Sequence, residues 1–306
     1  MMSEKILLID GHSILNRAFY GLPDLTNSEG KHTGAVYGFL NILFRILEEE
    51  KPQYLAVAFD LHAPTFRHQM YEAYKGTRKA MPEELREQVP LMKEVLEAME
   101  IPIVSLEGYE ADDLLGTLGR RSEQRGMEVT ILSGDRDLLQ LATDHVLIRI
   151  PKTTKGQTVI ENYHTQEVLE KYQLRPEQII DLKALMGDSS DNIPGIPGVG
   201  EKTATKILLA YENVENAYAH VEEIKPNKAK ESLRDHYDCA DEQGIGDHPY
   251  RQPVSFDYDQ ARLGELYTQR AYEMFQRLEF KNLLQRFACE PRKCFGKTFF
   301  LRRSSR

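Results

Sequence analysis

Acidic side chains recur at one kind of place along this chain. Asp10 follows the apolar run Ile6–Ile9, and Asp60 follows Tyr54–Phe59. Glu110, Asp112 and Asp113 follow Ile103–Leu106, and Asp135 and Asp137 follow Val129–Leu132. Each apolar run reads as a buried strand. In an open parallel sheet, ligands bind beyond the carboxyl ends of the strands, so these acids are expected on one rim. Taken singly, an Asp after a strand is a turn residue or a helix cap; four strands ending this way call for a common cause. Converging carboxylates repel at low dielectric, so they are protonated or neutralised by cations. Oxygen donors with no nearby His or Cys suit Mg²⁺ or Mn²⁺ rather than Zn²⁺. Asp188 and Asp191, spaced to share one face of a helical turn, extend the set. Together these carboxylates predict a two-metal centre for phosphoryl chemistry.

Two further stretches have the composition to hold a polyanion. The first is Asn192-Ile193-Pro194-Gly195-Ile196-Pro197-Gly198-Val199-Gly200-Glu201-Lys202. Its glycines allow a tight turn that exposes backbone N–H groups at the start of a helix, where the dipole favours phosphate. Lys202 and Lys206 add positive charge one turn apart. The spacing is not that of a Walker loop. Such a hairpin grips a sugar–phosphate backbone without reading bases. The second stretch, Phe66–Lys79, interleaves Arg67, Lys75, Arg78 and Lys79 with Tyr71 and Tyr74. Cations alternating with aromatics fit a single-strand surface of phosphate contacts and stacking platforms.

The elements that must carry these groups alternate strand and helix over the first half. Strands are expected at Lys5–Ile9, Tyr54–Phe59, Ile103–Leu106, Glu128–Leu132 and Val146–Ile150. Helices are expected at Thr33–Glu50, Pro82–Met99 and Asp112–Arg125, the first two with apolar residues at helical spacing. This is an α/β pattern with a mainly parallel sheet. After about Thr165 the strand signals stop, and Gln166–Tyr172, Pro176–Met186, Glu201–Ala210 and Val214–His220 read as short helices. The expected domains are an α/β core over 1–165, a helical region over 166–287 and a poorly ordered tail over 288–306.

The 306 residues carry 39 Lys+Arg against 48 Asp+Glu, a formal net charge of −9. Nucleic-acid binding therefore rests on local positive patches beside a metal-filled acidic site, not on overall charge. The three cysteines, Cys239, Cys289 and Cys294, make no disulfide framework. The apolar run near the start is too short for a signal or membrane span. A reduced, cytoplasmic protein with no membrane partner is expected.

Seven co-linear motifs carry a family resemblance. Leu8-Ile9-Asp10-Gly11, Ala58-Phe59-Asp60, Tyr74-Lys75-Gly76-Thr77-Arg78 and Gly108–Asp113 are similar to those of the 5′→3′ nuclease domain of bacterial DNA polymerase I. So are Ser133–Asp137, Gly187–Asn192 and Gly195–Lys202. That domain belongs to the flap-endonuclease family, and the likeness runs from about Lys5 to Phe287. It implies a PIN-like core with a helix-hairpin-helix region. It implies that Asp10, Asp60, Glu110, Asp112 and Asp113 serve a first metal and Asp135, Asp137, Asp188 and Asp191 a second. Lys75 and Arg78 would contact the scissile phosphate at the base of an arch spanning roughly 62–90. Arg17 and Tyr74, with Gly195, Gly198, Val199, Gly200, Lys202 and Lys206 of the hairpin, would meet DNA, and a K⁺ ion is implied at the hairpin. The implied substrates are 5′ flaps, 5′ ends and RNA-primed DNA, cleaved by a monomer, with a separate DNA polymerase as a candidate partner.

The sequence departs from the family twice. The residues after Phe287 match neither a proofreading nor a polymerase region, so polymerisation is not expected. Cys239–Gln252 interrupts the match. One codon choice for Ala240–Gln252, read a nucleotide later, spells Arg-Met-Ser-Lys-Glu-Leu-Ala-Thr-Ile-His-Ile-Asp, which is family-like. A pair of compensating frameshifts is the expectation, and the gene's nucleotide sequence decides it. Two rival readings are a PIN-type ribonuclease, which also sets acids at strand ends, and a non-catalytic binder of DNA structures.

Overall fold

The structure is a computed structural model that describes residues 3–154, 157–237 and 252–289. The interrupting segment before Gln252 and nearly all of the tail lie outside the described residues. The expected α/β core is present. Six strands form one sheet in the order β3-β2-β1-β4-β5-β6. These are β1 (Lys5–Asp10), β2 (Tyr54–Ala58), β3 (Ile103–Val104), β4 (Glu128–Leu132), β5 (Val146–Thr154) and β6 (Gln157–Tyr163). The first five run parallel, and β6 pairs antiparallel with β5. From β1 the chain order proceeds to β2 on one side and to β4 on the other. A crevice opens at such a switch point, beyond the strands' carboxyl ends.

Strand side chains alternate faces, and each face has its own core. Ile6 and Leu8 join one apolar cluster, while Leu7 and Ile9 join the other. On the first face lie α6 (Ala111–Gln124) and the helical half of the chain: α7 (Thr165–Tyr172), α8 (Gln178–Met186), α9 (Glu201–Tyr211), α10 (Val214–Ala219) and α11 (Asn227–Asp235). Leu174, Leu182, Ile207 and Leu233 share that core with the strands. On the second face lie α1 (Gly11–Gly21), α2 (Gly34–Glu50) and α5 (Gln88–Ala98). They are joined by α12 (Gln269–Arg277) and α13 (Lys281–Leu284), ahead of a last short helix, α14 (Arg286–Cys289). Met274, Phe275 and Leu278 are buried there, so the chain beyond the interruption packs into the core. Among the described residues no helix is long and apolar enough to cross a membrane.

Several elements differ from expectation for identifiable reasons. Helix α1 has no sequence-level counterpart above, because it begins on Gly11 and buries only Ile14, Leu15 and Ala18 besides that glycine. Its start is fixed by Asp10, whose carboxylate accepts the Ser13 N–H at 2.9 Å. Strand β6 is polar with an exposed Val159, as an edge strand can be. The helix expected from Pro82 to Met99 is two pieces, α4 (Glu83–Arg86) and α5, separated at Glu87. The segment expected as an arch is helical only near its ends, at α3 (Phe66–Met70), α4 and the first residues of α5.

Candidate metal and nucleic-acid site

Asp10, Asp60, Glu110, Asp112 and Asp135 line one cleft of about 730 Å³, together with Arg17, Lys75 and Arg78. The first four belong to three neighbouring strands' carboxyl ends, or to the loop and helix start that follow, and Asp135 to the loop after β4. Asp10 is buried; besides capping α1 it accepts the Ser133 hydroxyl at 2.8 Å. Asp60 accepts the first N–H of α6, from Ala111, at 2.6 Å. These bonds fix the directions of the carboxylates but do not neutralise them.

The electrostatics reflect that. Burial first, and then the charge of Asp60, pushes Asp10 up to about 6. Burial, with Asp10, Asp135 and Asp60 nearby, holds Asp112 well above the usual carboxylate range. One oxygen of Asp112 is buried with no hydrogen-bond partner. Burial also works on Asp60, but the His12 hydrogen bond and the Ala111 N–H outweigh it and keep Asp60 low. His12 corrects the expectation of no nearby histidine. It lines the cleft, with Nδ1 3.4 Å from the Asp60 carboxylate and 3.2 Å from the Asp60 backbone nitrogen. That nitrogen is engaged by Asp60, and the carboxylate oxygens outnumber the imidazole among the donors of the cleft.

Divalent cations fit this donor set. Hard oxygens, one of them buried and unpaired, surround a cleft where the like charges are otherwise relieved only by protonation. Among the described residues no three His, Cys, Asp or Glu side chains already close into a metal cage; the acids ring the cleft instead.

Asp113 does not join the ring, which corrects the expected first-metal set. It is fully buried and its two oxygens take Arg67 Nη1 and Nη2 at 2.8 and 2.7 Å. It also accepts the Glu110 N–H at 2.9 Å, closing the start of α6. Helical geometry explains the split: Asp112 and Asp113 are adjacent, so their side chains diverge by about 100°. Arg67 is thereby removed from the expected DNA surface, since it is only 1% exposed.

Tyr74 is a second correction. Its ring is 4% exposed and offers no stacking face. Its hydroxyl donates towards Glu110 at 3.0 Å and Asp191 at 3.1 Å, and burial with those two charges raises its pKa. Lys75 reaches Glu110 at 2.8 Å, and Arg78 pairs with Asp191 and the Ser190 carbonyl. The base of the expected arch is thus pinned onto the acids. Arg17 is half-buried in the cleft wall, and desolvation lowers its pKa.

Asp137, Asp188 and Asp191 stand apart from the cleft lining. Lys183 on α8 lies between the first two, 2.8 Å from Asp137 and 2.6 Å from Asp188. Burial and the charge of Asp135 raise Asp137 to about 6 despite this lysine. Asp188 stays low: burial opposes, but Lys183 and Ser190 prevail. The sequence reading overlooked Lys183. Nothing in the helix sequence QIIDLKALM marks it out from any other lysine.

In the glycine hairpin, Gly195 and Gly187 cross so closely that a Cβ on Gly195 would lie 2.2 Å from the Gly187 nitrogen. Gly195 is required by that crossing, and the Val199 side chain is 4% exposed in the core, so neither side chain position faces a ligand. Gly198 takes the left-handed φ of 78°, and Gly200 caps α9. Lys202 and Lys206 are exposed one turn apart, as expected.

Residues 5–173 match the 5′-3′ exonuclease N-terminal resolvase-like domain, and residues 174–243 match the 5′-3′ exonuclease C-terminal SAM fold. DNA polymerase I of Bacillus caldotenax is 55% identical over 78% of this chain. That of Caldicellulosiruptor bescii is 41% identical over 92%. The chain spans only 27% and 33% of those relatives' lengths. Among solved structures, bacteriophage T5 5′-exonuclease with bound zinc superposes with a TM-score of 0.65 at 22% identity, covering 90% of this chain and 99% of that one. The catalytic core of Rad2 in complex with DNA substrate gives 0.59 at 16%, covering 92% of each chain. These two share the fold.

Proposed function

This chain belongs to the 5′-3′ exonuclease family, matching its two domains in order, and from that premise we propose a divalent-cation-dependent 5′→3′ exonuclease and 5′-flap endonuclease acting on DNA. Asp10, Asp60, Glu110, Asp112 and Asp135 hold the first cation, and Asp137, Asp188 and Asp191 supply a second position. Two Mg²⁺ or Mn²⁺ ions, when bound, would supply an activated water and stabilise the negative charge that develops on the phosphoryl and leaving oxygens. The observation that carries this reading is the buried, partnerless oxygen of Asp112 among like charges.

The chain's own residues do the rest. Lys75 and Arg78 line the same cleft and present positive charge to an incoming phosphodiester. Arg17 adds a third cation to the cleft lining. The exposed Lys202 and Lys206, with the backbone of Gly198 and Gly200 at the start of α9, hold duplex backbone beyond the cut, and hairpin carbonyls offer a K⁺ position. The proposed substrates are 5′ flaps and RNA-primed DNA in replication and repair, in keeping with the exonuclease family match. The proposed nuclease unit acts as a monomer in the cytoplasm.

The test is cleavage of a labelled 5′-flap duplex against single-stranded RNA, with and without Mg²⁺. Flap cleavage that needs Mg²⁺, and disappears in Asp135→Asn while DNA binding persists, supports the proposal. Preferential RNA cleavage points to a PIN-type ribonuclease instead. DNA binding with no turnover in any divalent metal points to a structure-binding protein.

A further inference from the structure

The loop Ser133–Asp137 is tethered on two sides. Its inner tether faces the cleft: Ser133 donates to Asp10, and the Ser13 hydroxyl accepts the Gly134 N–H, each at 2.8 Å. Within the loop, Asp135 accepts the Asp137 N–H at 2.9 Å. The outer tether points the opposite way. Arg136 lies between the two acids, yet its guanidinium reaches Glu161 on β6 at 2.8 Å and donates to the hydroxyl of Tyr172 at 3.2 Å. Glu161 is the hub of this cluster. It accepts Tyr163 at 2.7 Å and pairs with Lys152 at 3.3 Å and Lys171 at 3.4 Å. Burial works against the charge, but these hydrogen bonds prevail and hold Glu161 near 2.

Resting on the metal reading of the cleft, we infer that Arg136 is a positioning residue. Through Glu161 it anchors the loop to the edge strand and sets how tightly Asp135 and Asp137 hold a divalent cation. An ordinary half-exposed ion pair contributes little. This one is a planar fork shared among a carboxylate and two tyrosines, and it fixes the residue between two metal-facing acids. A loop held on one side only lets Asp135 swing, and loss of outer supporting contacts around metal ligands weakens metal affinity by ten- to a hundredfold. The antiparallel β6 thereby acquires a role: it carries the anchor.

The experiment uses the full chain without DNA and reads Mn²⁺ affinity by electron paramagnetic resonance. Arg136→Gln and Glu161→Gln should each weaken Mn²⁺ by about tenfold, with the double variant no worse than the weaker single. Arg136→Lys should recover part of the loss. Lys152→Gln, which removes a Glu161 partner that does not touch the loop, should leave the affinity unchanged, and the metal-free melting temperature should barely move in any of them. Wild-type Mn²⁺ affinity in Arg136→Gln overturns the inference, as does a defect confined to DNA binding. Asp135→Asn serves as the control. If it too keeps wild-type Mn²⁺ affinity, the metal reading falls and takes the inference with it.

Discussion

Two groups of acids lie close together in this molecule and are treated in opposite ways. Asp10, Asp60, Asp112 and Asp135 line an open cleft, and two of them are pushed towards protonation. Asp113, Asp188 and Asp191 carry cations of the chain itself: Arg67, Lys183 and Arg78. Sequence spacing alone assigns both groups to metals. The difference is whether the fold supplies the countercharge. Where it does, the carboxylate is a structural anchor or a site already partly filled. Where it does not, the charge is left for something from solution.

The sharpest way to break the contrast is to neutralise a cleft acid. Asp112→Asn should lower Mg²⁺-dependent flap cleavage at least a thousandfold in single-turnover assays, since removing a metal ligand disables both charge stabilisation and water activation. Asp113→Ala should behave differently. It strips buried Arg67 of its bidentate carboxylate and leaves the longer approach to Glu110 at 3.6 Å, so urea unfolding should report a loss of about 3–5 kcal/mol, with Mn²⁺ affinity preserved.

Next comes stability without metal. Asp10 is raised from 3.8 to about 6 in the folded protein. A raised pKa means that its favourable, protonated contribution is present below the unfolded value and lost as pH climbs through 6. Asp10→Asn should therefore gain on the metal-free wild type between pH 4 and about 6, by up to roughly 3 kcal/mol, and hold that advantage above. Added Mg²⁺ should erase it by stabilising only the wild type.

Smaller effects sharpen the contrast. Lys183→Met removes the built-in cation between Asp137 and Asp188. Calorimetric titration should show a second Mn²⁺ ion binding about tenfold more tightly, because two carboxylates lose their internal competitor. Smallest is the pair Lys202→Gln with Lys206→Gln. Flap affinity should fall several-fold at moderate salt, and the slope of log affinity against log salt should shrink by about two.

The sequence made the ring legible because strands leave a clear pattern: short apolar runs, each followed by an acid. That logic expects Asp10, Asp60, Asp112 and Asp135 on one rim, and the four line one cleft. It misassigned Asp113 because adjacent helical residues point to different sides, and register within the first turn of α6 is set by Arg67, forty-six residues away. It took Tyr74 for a surface platform because a ring buried over two acids has the same composition as one stacked on a base. It missed α1 and β6 because α1 opens on a glycine and β6 is a polar edge strand, so neither shows strong periodicity. Lys183 carries no signal beyond being a lysine; only the tertiary approach of α8 to the loop after β4 gives it meaning.

The account is tested most directly by growing crystals of the whole chain with Mn²⁺ and collecting anomalous scattering. It predicts a strong peak in the cleft among Asp10, Asp60, Asp112 and Asp135, within bonding distance of the Asp112 oxygen that has no other partner. A cleft without anomalous signal at saturating Mn²⁺, or ions held only elsewhere on the molecule, would contradict it.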